Sequence, residues 1–303
     1  MSKTDDNWNI LDLNKNLFGK IIGTILNYII AIIFLIISIS SMYNLINFIV
    51  SQFLAETPIL IIGILFSIVI FYAVYKGFEV ISRISIIFFV INLTLFIIAI
   101  SGLISEIDIS NIKPILEYGL KNPFISSLQI CSINLLPVFL LLIFKRNDII
   151  DKEKYNKYLF IYMIICNILL LSFIGVTTLI LGNNLISAYQ YPEFIVLKKV
   201  KLFGFLDRIE NVVSIQWILG LFMSLVLTTY YITTTIHHNK KNKKTTISII
   251  IIIILLTSIY AFKNNTIFNY YSYHYYPYIT GSLFIIFLIV LIRCFIHKKR
   301  IKS

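Results

Sequence analysis

The chain has 303 residues, 58% of them hydrophobic and 13% charged, with a formal net charge of +12. Together with a mean hydropathy of +0.89, this composition lies outside the range of ordinary globular domains and excludes a soluble enzyme. The basic residues are split among short loops and a tail rather than gathered on one face, so the positive charge points to anionic lipid headgroups and not to nucleic acid.

Eight apolar stretches, free of acidic and basic side chains through their middles, follow one another along the chain. They are A (17–51), B (58–75), C (84–103), D (123–144), E (158–181), F (212–236), G (246–262) and H (276–296). A hydrocarbon core about 30 Å thick needs about 20 apolar residues per helix. Backbone polar groups find no water there, so spans of this continuity are expected as helices; barrel strands would leave shorter, alternating segments. The expected fold class is all-α: a polytopic membrane protein of about eight transmembrane helices in a single membrane domain, residues 1–303. Asp5, Asp6 and Asp12 precede A, and no positively charged segment leads into a short apolar core, so no cleaved signal peptide is expected.

Most lysines and arginines fall on one side if both termini are cytoplasmic. That side receives Lys76 and Arg83, the cluster Lys145, Arg146, Lys152, Lys154 and Lys157, the run Lys240 to Lys244, and the tail after Arg293. Six tyrosines, Tyr270, Tyr271, Tyr273, Tyr275, Tyr276 and Tyr278, gather before H and are read as an interfacial belt. His237 and His238, beside several lysines, are read as a solvated turn rather than a metal site. Cys131, Cys166 and Cys294 have neither metal spacing nor a disulfide role. No metal or other cofactor is expected.

The middles of the spans carry no carboxylate, histidine or lysine, which argues against an acid-based proton relay. Neutral polar residues do recur at helical spacing. In D, Ser127, Cys131 and Asn134 share a face one turn before Pro137. In F, Ser214, Trp217, Leu221, Ser224 and Thr228 step by three and four. In A, Thr24 and Tyr28 are followed on nearly the same face by Ser38 and Ser41. Such stripes serve either helix packing or a small polar ligand, and packing is the commoner use of any single hydroxyl. Asn134 stands apart, because a carboxamide at depth needs several partners and the nearby proline leaves a backbone carbonyl without its donor. Gly19 and Gly23 form a small-xxx-small pair expected to pack.

Between E and F, Tyr191-Pro192-Glu193-Phe194-Ile195-Val196-Leu197-Lys198-Lys199 and Leu202-Phe203-Gly204-Phe205 through Glu210 mix apolar and basic positions behind an N-terminal proline. A surface amphipathic helix is expected over 192–210. This stretch, continuing through Gln216-Trp217-Ile218-Leu219-Gly220, resembles the segment before the eighth span in the B subunits of bacterial endospore germination receptors. Those subunits are members of the spore germination permease family, within the amino acid-polyamine-organocation superfamily. Leu17-Phe18-Gly19-Lys20-Ile21-Ile22-Gly23, the turn Gly77-Phe78-Glu79-Val80-Ile81-Ser82-Arg83, Lys113-Pro114 and Glu117-Tyr118-Gly119 resemble further family segments in order.

The resemblance implies an amino-acid-permease fold of two inverted five-helix repeats, here N-terminally shortened and lacking the first two spans. Residues 17–104 would hold the last three helices of the first repeat, and residues 121–297 the five-helix second repeat. D would be a broken helix and A and F its flanking pair. The candidate ligand-binding residues are then Tyr28, Ser38, Ser41, Ser127, Asn134, Ser214, Trp217, Ser224 and Thr228. Where family members often carry an acid in the sixth span, this chain offers Asn134 or Ser132.

The implied function is a nutrient germinant-sensing subunit in the spore inner membrane or bacterial cell membrane. It would bind a small germinant such as an amino acid and act with A and C subunits. An autonomous amino-acid transporter and a non-binding structural paralogue are the alternatives. No Ser-His-acid set, glycine-rich phosphate loop or paired acid is placed to support an enzyme.

Overall fold

The structure, a computed structural model, describes residues 9–113, 119–145, 154–199, 209–236 and 242–302. Among these residues all regular structure is helical. The helices are α1 (Ile10–Phe18), α2 (Lys20–Gln52), α3 (Ile59–Lys76), α4 (Phe78–Leu103), α5 (Lys121–Leu141), α6 (Tyr155–Ala188), α7 (Pro192–Leu197), α8 (Ile209–Ile236), α9 (Lys243–Ala261), α10 (Asn265–His274) and α11 (Tyr276–Lys302). Short 3₁₀ turns at Ile104–Glu106 and Ile109–Ile112 follow α4.

Seven helical segments among the described residues are long and apolar enough to cross a membrane, at Lys20–Gln52, Ile59–Lys76, Phe78–Glu106, Lys157–Gly182, Ser214–Ile236, Lys243–Ala261 and Asn265–Ile296. They match A, B, C, E, F, G and H. D corresponds to the 21-residue helix α5, several of whose side chains lie outside the described ones. His237 and His238, and residues 200–208 of the expected 192–210 helix, lie outside the described residues.

The chain forms two compact units. The first gathers Met1–Ile81, Ile125–Tyr155 and Leu221–Ser303. The second gathers Ser82–Phe124 and Asn156–Gly220, so each unit takes segments from both sides of the expected repeat boundary.

In the first unit, α1 is a helix the apolar pattern did not announce. Asn9 caps it, its side chain accepting a hydrogen bond from the Asp12 amide at 3.0 Å. The chain then turns at Gly19, whose φ of 85° belongs to the region that side chains avoid. Span A therefore begins at Lys20 rather than Leu17, because α1 folds back onto the start of α2. Two buried amides fix that fold-back: Asn14 Nδ2 donates to Asn27 Oδ1 at 2.7 Å, and Asn27 Nδ2 donates to the Leu11 carbonyl at 3.0 Å. The backbones approach so closely that a Cβ on Gly23 would strike the Asn14 carbonyl and the Lys15 Cα. Gly23 thus packs as its spacing implies, while Gly19 serves as the turn.

Both ends of α1 are tied to other helices. The Ile10 amide donates to the Leu142 carbonyl just past α5 at 2.9 Å, and Arg293 Nε on α11 donates to the Leu17 carbonyl at 3.2 Å. Elsewhere in this unit Gly63 of α3 leaves room for Leu255 of α9 and Ile46 of α2. The tyrosine belt is divided. Tyr273 and Tyr278 are 85% and 79% exposed, but Tyr271 turns inward, its hydroxyl 3.2 Å from Ser40 Oγ on α2. Tyr43 donates to Asn265 Oδ1 at 3.0 Å, and Tyr43, Phe262 and Phe268 form a small apolar cluster under α10.

In the second unit, α6 breaks at Gly182, where φ is 70° and ψ 164°. Span E was expected to end one residue earlier. The break removes the regular donor to the Leu179 carbonyl, and two substitutes reach it: the Asp108 amide at 3.2 Å and Asn111 Nδ2 at 2.8 Å. Val196 and Leu197 of α7 are buried with Ala99 and Leu103 of α4 and Ile180 and Leu181 of α6. Over residues 192–197, then, the expected surface helix contributes buried side chains to this unit's core. Burial also holds the Glu193 carboxyl above the usual carboxylate range.

Gly23→Ala should lower stability by about 1–3 kcal/mol, the usual cost of overpacking. Gly175→Ala, where no described atom lies within 4 Å of the added Cβ, should be neutral or slightly stabilising; thermal unfolding of the two variants in detergent compares them. For Glu193, the folded chain holds its proton more tightly than the unfolded chain, so stability falls as pH rises from the ordinary carboxylate value through the raised one. Glu193→Gln should remove that decline, flattening Tm relative to the parent as pH rises above the ordinary carboxylate value.

Candidate functional site

A hydroxyl inside a membrane-spanning helix has one local acceptor always within reach, the carbonyl one turn earlier on its own helix. Most serines and threonines here use it. Thr94 donates to Val90, Ser172 to Ile168, Thr178 to Ile174 and Thr233 to Thr229, at 2.7 to 2.9 Å. A polar residue on a helical stripe is therefore often satisfied without facing anything polar.

Among the candidate residues, one pair reaches between helices. Ser38 of α2 and Thr228 of α8 are both buried, with Oγ and Oγ1 2.8 Å apart. Ser38 Oγ also lies 2.8 Å from the Phe34 carbonyl, and Thr228 Oγ1 2.7 Å from the Ser224 carbonyl. Each hydroxyl has one proton, so two arrangements satisfy the pair. Either Ser38 donates to Thr228, which donates to Ser224, or Thr228 donates to Ser38, which donates to Phe34. In both, one hydroxyl ends on a backbone carbonyl. One turn along each helix, the rings of Phe34 and Tyr231 meet with centroids 4.7 Å apart.

The remaining candidates stand on α2, α5 and α8. On α2, Tyr28 is 47% exposed and Ser41 is half-buried. On α5, Ser127 is exposed, and Asn134 is half-buried one turn before Pro137. Pro137 cannot donate to the Ile133 carbonyl, which leaves that oxygen without its helical donor. Ser224 is half-buried and supplies its carbonyl to Thr228. Ser214 and Trp217 belong to the second unit, where Ser214 is buried and donates to the Asn211 carbonyl at 2.8 Å. The Trp217 ring meets Tyr191 edge-on with centroids 6.3 Å apart. Direct contact thus joins Ser38, Thr228 and the Ser224 carbonyl.

The sequence reading missed Tyr231. Its side chain is fully buried, and its hydroxyl has no hydrogen-bond partner among the described residues. The signal was available, because the stripe Ser224, Thr228 continues three residues on to Tyr231. Thr229, also fully buried, likewise has an Oγ1 without a described partner. Carboxylates among the described residues lie at helix ends, in turns or in α1: Asp12, Glu56, Glu79, Glu106, Asp108, Glu193 and Glu210. Hydrogen bonds from the Ser110 side chain and amide hold Asp108 below the usual carboxylate range. No group of three or more His, Cys, Asp or Glu side chains is placed to hold a metal ion among the described residues.

Comparison with known proteins adds a family to this geometry. The chain is 27% identical over 184 residues to spore germination protein KB of Bacillus subtilis (strain 168), covering 58% of this chain and 48% of that protein. It is 25% identical over 181 residues to spore germination protein XB of Bacillus anthracis, covering 59% and 50%. It is also 25% identical over 219 residues to spore germination protein A2 of Bacillus subtilis (strain 168), covering 71% and 59%. The chain spans about half the length of the curated relatives it matches. No solved structure matches it. An all-helical membrane protein whose spans keep charge out of their middles, matched by the spore germination protein (spore permease) family model over residues 1–267, belongs to that family.

Proposed function

We propose that this protein is the nutrient-sensing subunit of a spore germination receptor, embedded in the spore inner membrane with both termini cytoplasmic. It binds a small germinant such as an amino acid and acts with an A-type and a C-type subunit. Family membership carries this reading. Asn134 beside Pro137 on α5, together with the Tyr231 hydroxyl on α8, supplies the polar groups a zwitterionic ligand needs. In this reading the ligand draws on the Ile133 carbonyl and the Asn134 carboxamide of α5. It favours one arrangement of α5 over another, and the shift in population passes to the partner subunits.

A second reading has support of its own. Ser38 and Thr228 satisfy each other, and many other span hydroxyls bond to their own helices, which is the pattern of packing rather than of a ligand site. A subunit that assembles with its partners and binds nothing is the function that pattern favours.

The two readings part on substitution. Asn134→Leu should reduce the sensitivity of spores to amino-acid germinants by about tenfold or more if the carboxamide contacts ligand; a dose-response of spore optical density measures this, with subunit abundance checked in parallel. An unchanged dose-response at normal abundance favours the structural role. Tyr231→Phe deletes only a buried hydroxyl. It should leave Tm equal or slightly raised, because an unpaired buried polar group is itself destabilising, while shifting the germinant dose-response in the same direction as Asn134→Leu. A third function, autonomous transport, predicts saturable amino-acid uptake by the isolated chain in vesicles, and absence of uptake sets it aside.

A further inference from the structure

Three lysines lie at the shared end of α3 and α9, two helices long and apolar enough to cross a membrane. Lys243 Nζ, from the first turn of α9, donates to the Tyr75 carbonyl in the last turn of α3 at 3.2 Å. Lys244 Nζ lies 5.0 Å from the centre of the Tyr75 ring, and Lys76 Nζ lies 5.5 Å from the centre of the Tyr72 ring. Tyr72, Tyr75, Lys76 and Lys244 are exposed, and Lys243 is half-buried. Helix ends more than 160 positions apart in the chain, each bearing lysine, are thus brought together.

Without a counter-ion this arrangement is unfavourable twice over. The ammonium groups repel one another, and two of them stand in the first turn of α9, where the helix dipole already favours negative charge. Glu79, in the first turn of α4, is the carboxylate nearest to Lys76 in the chain, and one carboxylate balances at most one of the three charges. The cluster also sits at the end of two apolar helices and among exposed tyrosines, at the depth where hydrocarbon gives way to headgroups. A free anion would satisfy the charge but gain nothing from the flanking apolar surface, whereas a phospholipid satisfies both. We infer that Lys76, Lys243 and Lys244, framed by Tyr72 and Tyr75, bind the phosphate-bearing headgroup of an anionic membrane lipid whose acyl chains lie along α3 and α9. The lysines act as point charges on the headgroup phosphate.

The test uses the full chain in zwitterionic detergent, titrated separately with phosphatidylglycerol, phosphatidylcholine and inorganic phosphate. Bound lipid is counted by native mass spectrometry and Tm is followed in parallel. Phosphatidylglycerol should bind and raise Tm, and the other two should not. The triple variant Lys76→Gln, Lys243→Gln, Lys244→Gln should lose that binding, by about fivefold per lysine. A control triple, Lys113→Gln, Lys121→Gln, Lys263→Gln, should keep it. Equal binding of phosphatidylglycerol by the triple variant and the parent, or equal binding of phosphatidylcholine by the parent, overturns the inference. A Tm rise with inorganic phosphate alone equal to that with phosphatidylglycerol overturns the lipid and leaves a free-anion site. If the triple variant does not fold, Lys244→Gln and a salt titration of the parent decide. Binding that is insensitive to both refutes the site.

Discussion

A polar atom in hydrocarbon must find its partner within the protein, and this single requirement organises the chain. It forces the apolar runs into helices, since only the helix pairs every backbone group along one segment. It then acts on side chains, sending one hydroxyl after another back to its own helix, as Thr94, Ser172, Thr178 and Thr233 show. Where the backbone ladder fails, substitutes appear. The Gly182 break in α6 turns the Leu179 carbonyl toward the Asp108 amide and the Asn111 side chain. The Asn14 and Asn27 amides close on each other and on the Leu11 carbonyl, holding α1 against α2.

The same requirement explains what the sequence made legible. Apolar length is a direct record of the membrane, so the spans corresponding to α2, α3, α4, α5, α6, α8, α9 and α11 could be read off, most of their ends within a few residues. Short helices leave no such record. Helix α1 is nine residues of mixed polarity whose stability rests on Asn27 and Gly23 downstream, and α10 is held by Tyr43 and Ser40 more than two hundred residues upstream. Neither dependence is visible in a local window. The tyrosines before α11 illustrate the loss: composition marks an interfacial belt, while Tyr271 in fact faces α2.

Helical spacing was a weaker guide to the candidate site, for a definite reason. It records which residues share a face and says nothing of whether the hydroxyl on that face is already engaged. Ser38 and Thr228 emerged from two stripes read separately, and they do meet. Their meeting satisfies both, so the stripe that led to them also diminishes them as ligand contacts. Tyr231, one step beyond the end of the stripe, keeps a hydroxyl with no described partner and is the more informative residue. Asn134 stands on a different footing, because its case rests on the chemistry of a carboxamide beside a proline and not on a period.

Helix α1 is bound at one end to the backbone just past α5 and at the other to an arginine of α11, with its middle clamped against α2. A short helix fastened in this way is a crossbeam. A tilt of α5 at that end must either break the hydrogen bond between Ile10 and Leu142 or drag α1 along, and dragging α1 opposes the buried Asn14–Asn27 contact and pulls on Arg293. Displacement of α5 is therefore mechanically shared among three others.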